Sequence, residues 1–134
     1  MITQIAYVTI LVRDQEEALA FYTEKLGMEK CEDDATSEPT TRWLTVAPKG
    51  QKNTVFTLRK AKESELDRVG KQTGRQFLCI LRTDDCRRDY EILVSRGVKF
   101  LNSPKEEPFG GWTATFEDLY GNVLDLWEPQ ELKT

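Results

Sequence analysis

Tyr7-Val8-Thr9-Ile10-Leu11-Val12-Arg13-Asp14 aligns without a gap with Leu78-Cys79-Ile80-Leu81-Arg82-Thr83-Asp84-Asp85. Each stretch is an apolar, partly β-branched run that ends at an acidic residue, the pattern of a strand leading into a helix. After the first run, Asp14 with Glu17 three positions on forms a capping box, which starts a helix at Asp14. Ala18, Phe21, Tyr22 and Leu26 follow at helical spacing, and Gly27 stands where a helix C-cap belongs. After the second run, Asp84-Asp85 starts a helix with Tyr90, Leu93 and Val94 on one face, and Gly97 ends it.

Working outward, three strand-like segments follow each helix. After the first they are Met28 to Ala35, Arg42 to Val46 and Thr54 to Arg59, with turns at Glu38-Pro39-Thr40 and Pro48-Lys49-Gly50. After the second they are Val98 to Leu101, Trp112 to Phe116 and Val123 to Trp127. Pro104 to Gly111, with two prolines and Gly110-Gly111, reads as a loop or irregular edge, and Asp118 to Asn122 as a turn. Phe77 to Leu81 reads as a buried strand with Cys79 as a small core residue, and Arg42 to Val46 as a half-exposed one. The charged stretch Lys60 to Gly74 reads as a connection carrying a short helix around Ser64 to Val69.

The same βαβββ unit therefore occurs twice in 134 residues. The expected fold is α+β within one domain, with a first module over 1–60, a connection over 61–74 and a second module over 75–129. Such a unit cannot bury both faces of its sheet alone. Two side by side would form a curved mixed sheet, helices on the convex face and a concave cleft inside.

Composition narrows the chemistry. The chain has no histidine, which removes a Ser-His-Asp triad, histidine-ligated zinc and an imidazole base. A net charge of −4 argues against binding nucleic acid through its phosphates. No apolar run approaches the roughly 20 residues of a membrane helix, and the start Met1-Ile2-Thr3-Gln4 lacks a signal-like basic region. Cys31, Cys79 and Cys86 are odd in number and show no C-x-x-C spacing, which fits a cytoplasmic protein without disulfides or thiolate zinc. Cys86 lies at a helix start, where a thiol can be activated; the plainer reading is a half-buried thiol.

Val12-Arg13-Asp14, Ala18-x-x-Phe21-Tyr22 and Leu26-Gly27 resemble the first-module signature of the vicinal oxygen chelate superfamily, which includes glyoxalase I, extradiol dioxygenases and bleomycin-resistance proteins. Pro108-Phe109-Gly110, Phe116-x-Asp118 and Gly121-Asn122-x-x-Asp125-Leu126-x-Glu128-Pro129 resemble its second-module ending, with Leu119 where the family commonly has proline. The resemblance implies the paired-module fold. In metal-dependent members, ligands come from the first and last strands of each module. Those positions fall here on Tyr7, Leu78, Thr57 (or Phe56) and Asp125. Only Asp125 is a good ligand, and a catalytic divalent ion usually needs about three. The expectation is a protein without metal or other cofactor, closest in character to metal-free bleomycin-resistance-like binders, which are usually homodimers.

Strand alternation then assigns the cleft. Tyr7, Thr9 and Leu11 would face it from the first strand, Leu78, Ile80 and Arg82 from the fifth, and Val123, Asp125 and Trp127 from the last. The candidate ligand-binding residues are Tyr7, Thr9, Trp43, Thr57, Leu78, Ile80, Trp112, Asp125 and Trp127. The tryptophans are either a stacking surface or core and dimer packing. Asp125 either grips a cationic ligand or is a solvated residue paired with Arg82. The run Glu32-Asp33-Asp34 reads as a solvated edge. Two functions follow: a small-molecule, antibiotic-like binding protein, or a lyase, isomerase or dioxygenase-type enzyme of the same superfamily that uses a carboxylate, with or without a weakly held metal.

Overall fold

The computed structural model describes residues 1–38 and 41–130, which form two compact units, 1–72 and 73 onward. In the first unit, β1 (Tyr7–Val12) leads into α1 (Gln15–Ala20), then β2 (Glu29–Glu38), β3 (Thr41–Ala47) and β4 (Val55–Lys60). The sheet order is β1-β4-β3-β2, with β1 parallel to β4 and the other pairs antiparallel. The second unit repeats the plan with β5 (Phe77–Arg82), α2 (Cys86–Ser95), β6 (Lys99–Phe100), β7 (Lys105–Glu106), β8 (Trp112–Glu117) and β9 (Val123–Glu128). Its order, β5-β9-β8-β6, mirrors the first, and β7 pairs with β8. The fold is α+β, built from two βαβββ modules with mixed sheets, the second enlarged to five strands by the short β7.

Both helices begin as the sequence demands. Asp14 accepts the Glu17 N–H at 3.0 Å, and Asp85 accepts the Arg88 N–H at 3.0 Å. Beyond Ala20 the first helix continues as a π-helical turn over Phe21–Lys25. Gly27, at φ +78°, then reverses the chain. Gln15 ties α1 to its sheet by donating to the carbonyls of Arg42 and Leu58 at 2.9 and 2.8 Å.

Alternation places Ile10 and Val12 of β1, and Leu44, Val46 and Leu58, in the first core, where all five are 0 % exposed. Tyr22 closes that core, edge-on to Phe56 at 6.2 Å between centroids. In the second unit Ala114, Phe116, Leu124 and Leu126 are buried, and an aromatic chain joins helix to sheet. Tyr90 of α2 meets Phe100 at 4.7 Å, and Phe100 meets Phe116 at 5.3 Å.

Several expectations are corrected or refined. Phe77 to Leu81 is not a buried strand: among the described residues β5 is an edge with only β9 beside it, and Phe77 and Ile80 are 46 % and 55 % exposed. Cys79 is half-buried for the same reason. Arg42 to Val46 is half-exposed only at its start, where Trp43 is 38 % exposed; β3 is flanked on both sides, and Leu44, Thr45 and Val46 are all buried. Val94 lies on the exposed side of α2, while Cys86 and Leu93 are buried. The short helix expected around Ser64 to Val69 is present as a 3-10 helix over Glu63–Arg68. Pro104 to Gly111 takes the second of its two expected forms, an irregular edge, with the two-residue strand β7 paired to β8. Of the expected turn at Glu38-Pro39-Thr40, Glu38 belongs to β2 and the next two residues lie outside the described residues.

Candidate functional site

The first sheet presents a polar and aromatic face. Register places Thr9 opposite Thr57, Thr57 opposite Thr45, and Thr45 opposite Glu32, so these side chains share one side of the sheet. Tyr7 and Trp43 join them, ring centroids 5.0 Å apart and edge to face. The Tyr7 hydroxyl donates to Glu32 Oε1 at 3.1 Å, and Thr45 Oγ1 donates to the same oxygen at 3.4 Å. The hydrogen bond to Glu32, and then its charge, raise the Tyr7 phenol above its ordinary range. Glu32 is exposed on the edge strand β2, as expected, and its carboxylate also serves this face.

Thr57 is buried, and its hydroxyl has no hydrogen-bond partner among the described residues. A buried unpaired hydroxyl costs about 1–3 kcal/mol. Thr57→Val removes it at constant shape, so the protein without ligand is expected to gain about 1 kcal/mol, or about 4 °C in Tm, by calorimetry. A fall in Tm would show that the hydroxyl has a partner.

The second unit holds two features. On the face of β8 and β9 opposite Leu124 and Leu126, Asp125 is buried and accepts from Thr115 Oγ1 at 3.0 Å. Burial pushes its carboxyl up; the Thr115 bond opposes this, and the nearby Glu107 carboxylate adds to it. Arg82 does not pair with Asp125: it stands opposite Trp127, its guanidinium 5.9 Å from the indole. Ile80 lies opposite Asp125, on the same side. Leu78 falls at a register shift: Phe77 pairs with Val123 and Cys79 with Leu124, which leaves Leu78 as the extra residue of a bulge. Phe77, not singled out from the sequence, takes the place opposite Val123.

The raised Asp125 carboxyl sets a pH dependence. The fold disfavours its ionised form, so this residue's contribution is most favourable below the ordinary value of 3.8 and is lost as pH rises through the folded value. Asp125→Asn keeps an acceptor for Thr115 and removes the charge. Thermal melts are expected to give a higher Tm for the variant at pH 7, with the difference closing below about pH 4. A variant less stable at pH 7 would contradict this.

The second feature is a groove of about 1150 Å³ at the end of the sheet where β5 stops and the β7–β8 turn begins. Arg82, Glu106, Glu107, Phe109, Trp112 and Glu128 are among its lining residues. Phe109, at the tip of the turn, is 71 % exposed. Trp112 lies on the same side of β8 as the buried Ala114 and Phe116, opposite the side that carries Asp125 and Trp127, and Arg87 of α2 covers one face of its indole at 4.3 Å. Glu107 accepts from Thr113 at 2.5 Å, and Glu128 accepts the Cys86 N–H at 2.9 Å. Phe109 belongs to the Pro108-Phe109-Gly110 motif that marks the fold, and Glu107 precedes it, but their part in a groove has no periodic signal. Cys86 is not an activated thiol: burial first, then Glu128 and Asp125, push it up to about 11.

The family's metal positions do not form a donor set. Leu78 cannot ligate, Tyr7 is bonded to Glu32, Thr57 offers one hydroxyl, and Asp125 alone is a carboxylate. Among the described residues, no group of three or more His, Cys, Asp or Glu side chains comes together.

Residues 4–126 match the family model described as Glyoxalase/Bleomycin resistance protein/Dioxygenase superfamily. An uncharacterised protein of Shewanella frigidimarina is 38% identical over 123 residues, covering 91% of this chain and 90% of that protein. The crystal structure of UcmS2 superposes with a TM-score of 0.83 at 37% identity, covering 96% of this chain and 99% of the other. That of TnmS3, an antibiotic binding protein from Streptomyces sp. CB03234, gives 0.79 at 35% identity, covering 96% and 98%.

Proposed function

Because the chain belongs to the glyoxalase/bleomycin resistance protein/dioxygenase superfamily, a fold that hosts many activities, we propose from its own groove that it binds a planar, cationic small molecule without turning it over. The groove of the second unit carries the reading. Its volume is large enough to admit a drug-sized ligand, and Phe109 offers an open ring at its rim. Of the carboxylates along its walls, Asp84 is paired with Arg88 and Glu107 with Lys105, which leaves Glu106 and Glu128 against Arg82 and favours a cation. The similarity to an antibiotic binding protein supports an antibiotic-like ligand.

We also propose a homodimer. Edge strands β1 and β5 carry the exposed apolar side chains Tyr7, Phe77 and Ile80, and a second copy would cover them. Sedimentation should then give twice the 15.5 kDa chain mass. The three free cysteines suit a reducing compartment such as the cytoplasm. No helix among the described residues is long and apolar enough to cross a membrane.

The test is calorimetric titration with proflavine, a planar cation, against anthraquinone-2-sulfonate, a planar anion. Proflavine is expected to bind with a Kd of about 10 μM or tighter. Phe109→Ala should weaken it about tenfold, and the anion should bind more weakly than the cation. Absence of binding by either dye would reject the reading. Preference for the anion would reject the cationic class.

A further inference from the structure

The two edges of the first sheet are protected in different ways, and the difference assigns a role to Gln72. The β2 edge carries Lys30, Glu32, Asp33 and Asp34 and is broken by a register shift between Lys30 and Glu32. Charge and irregularity of this kind discourage the addition of a foreign strand. β1, at the opposite edge, has neither device: its sequence is Tyr-Val-Thr-Ile-Leu-Val, and its register with β4 is unbroken.

β4 takes the backbone groups of alternate β1 residues, as shown by the bonds from Val55 N–H to the Ala6 carbonyl and from Ala61 N–H to the Val12 carbonyl. Tyr7, Thr9 and Leu11 consequently turn their backbone groups outward. At the centre of that outer edge lies the Gln72 carboxamide. Its Oε1 accepts the Leu11 N–H at 2.5 Å, and its Nε2 donates to the Thr9 carbonyl at 3.0 Å. One side chain thus makes the donor–acceptor pair that a residue of a neighbouring strand would make.

We propose that Gln72 closes the β1 edge to backbone pairing with a strand of a second copy, so that copies of this chain meet through side chains and do not extend the sheet. The role is separate from the ligand reading. It needs only a carboxamide of this length at this place. A shorter amide cannot span Thr9 and Leu11, and an apolar residue leaves both groups open.

The experiment combines residue-resolved hydrogen exchange with sedimentation velocity over a concentration series. In the wild-type protein the Leu11 amide should be protected. In Gln72→Leu it should exchange at least tenfold faster, and species larger than the wild-type assembly should accumulate as concentration rises. Gln72→Asn keeps the polarity and loses the reach. It should show the same changes in milder form, and it carries the test if the leucine variant fails to fold. Unchanged Leu11 exchange would show that the carboxamide bond is not what protects the edge. Faster exchange with unchanged sedimentation would show that the edge does not control association. Either result overturns the proposal.

Discussion

Replacing Gly111 by alanine is expected to destabilise the protein by about 3–5 kcal/mol, lowering Tm by about 10–20 °C. Gly111 has φ +86°, a conformation that an L side chain enters at a cost of about 1–2 kcal/mol. Steric contact costs more. A Cβ at this position would stand 2.4 Å from the Glu128 carbonyl oxygen and 3.2 Å from the Gln130 nitrogen. Both are backbone atoms, and Glu128 is held in register opposite Trp112, so neither can give way cheaply. Gly110 is the internal control. Its Cβ would meet mainly the Gln130 side chain, which can swing aside, so Gly110→Ala should cost only the backbone penalty of about 1–2 kcal/mol. Urea denaturation of both variants separates the backbone penalty from the steric one, and equal losses would mean that the Glu128 carbonyl yields freely. Gly111→Ala should also weaken proflavine binding, because this close approach positions the turn that carries Phe109.

Asp118→Ala is expected to cost about 3–4 kcal/mol, measured in the same way. The carboxylate is 5 % exposed. It accepts the N–H groups of Tyr120 and Asn122 and the Asn122 side-chain amide, each at 2.9 Å. These bonds tighten the turn closed by Asp118 N–H to the Asn122 carbonyl at 2.8 Å, which brings β8 back into β9. Alanine leaves the donors without an acceptor in a site closed to water. Asp118→Asn keeps one acceptor oxygen and should cost about 1 kcal/mol, since the Asn122 amide can turn to meet it. A loss below about 1 kcal/mol for the alanine variant would mean that water replaces these bonds.

Local chemistry made much of the fold readable. Asp14 and Asp85 announce their helices because a carboxylate next to free N–H groups is favourable in any context. Gly27 and Gly97 end them because both take positive φ, at 78° and 86°. The repeat of an apolar run, an acid and a helical face was enough to count two βαβββ modules. Burial was less readable, because it depends on what lies beside a strand. Phe77 to Leu81 is as apolar as a central strand, yet β5 is an edge. Arg42 to Val46 alternates like a half-exposed strand, yet β3 has neighbours on both sides. Leu78 shows the same limit in the candidate site, where a bulge changes the position that alternation assigned to it. Glu32 read as one of three solvated acids. Its hydrogen bonds to Tyr7 and Thr45 arise from a register between β2 and β3 that no local signal fixes.

The central claim is that the chain holds a planar cation and leaves it chemically unchanged. Native mass spectrometry of the protein incubated with proflavine, followed by denaturing release of the dye, tests it most directly. The expected result is one dye per chain on a dimer, with the released dye at its original mass. A dye recovered at altered mass, or a protein that emerges with none bound, would contradict the claim.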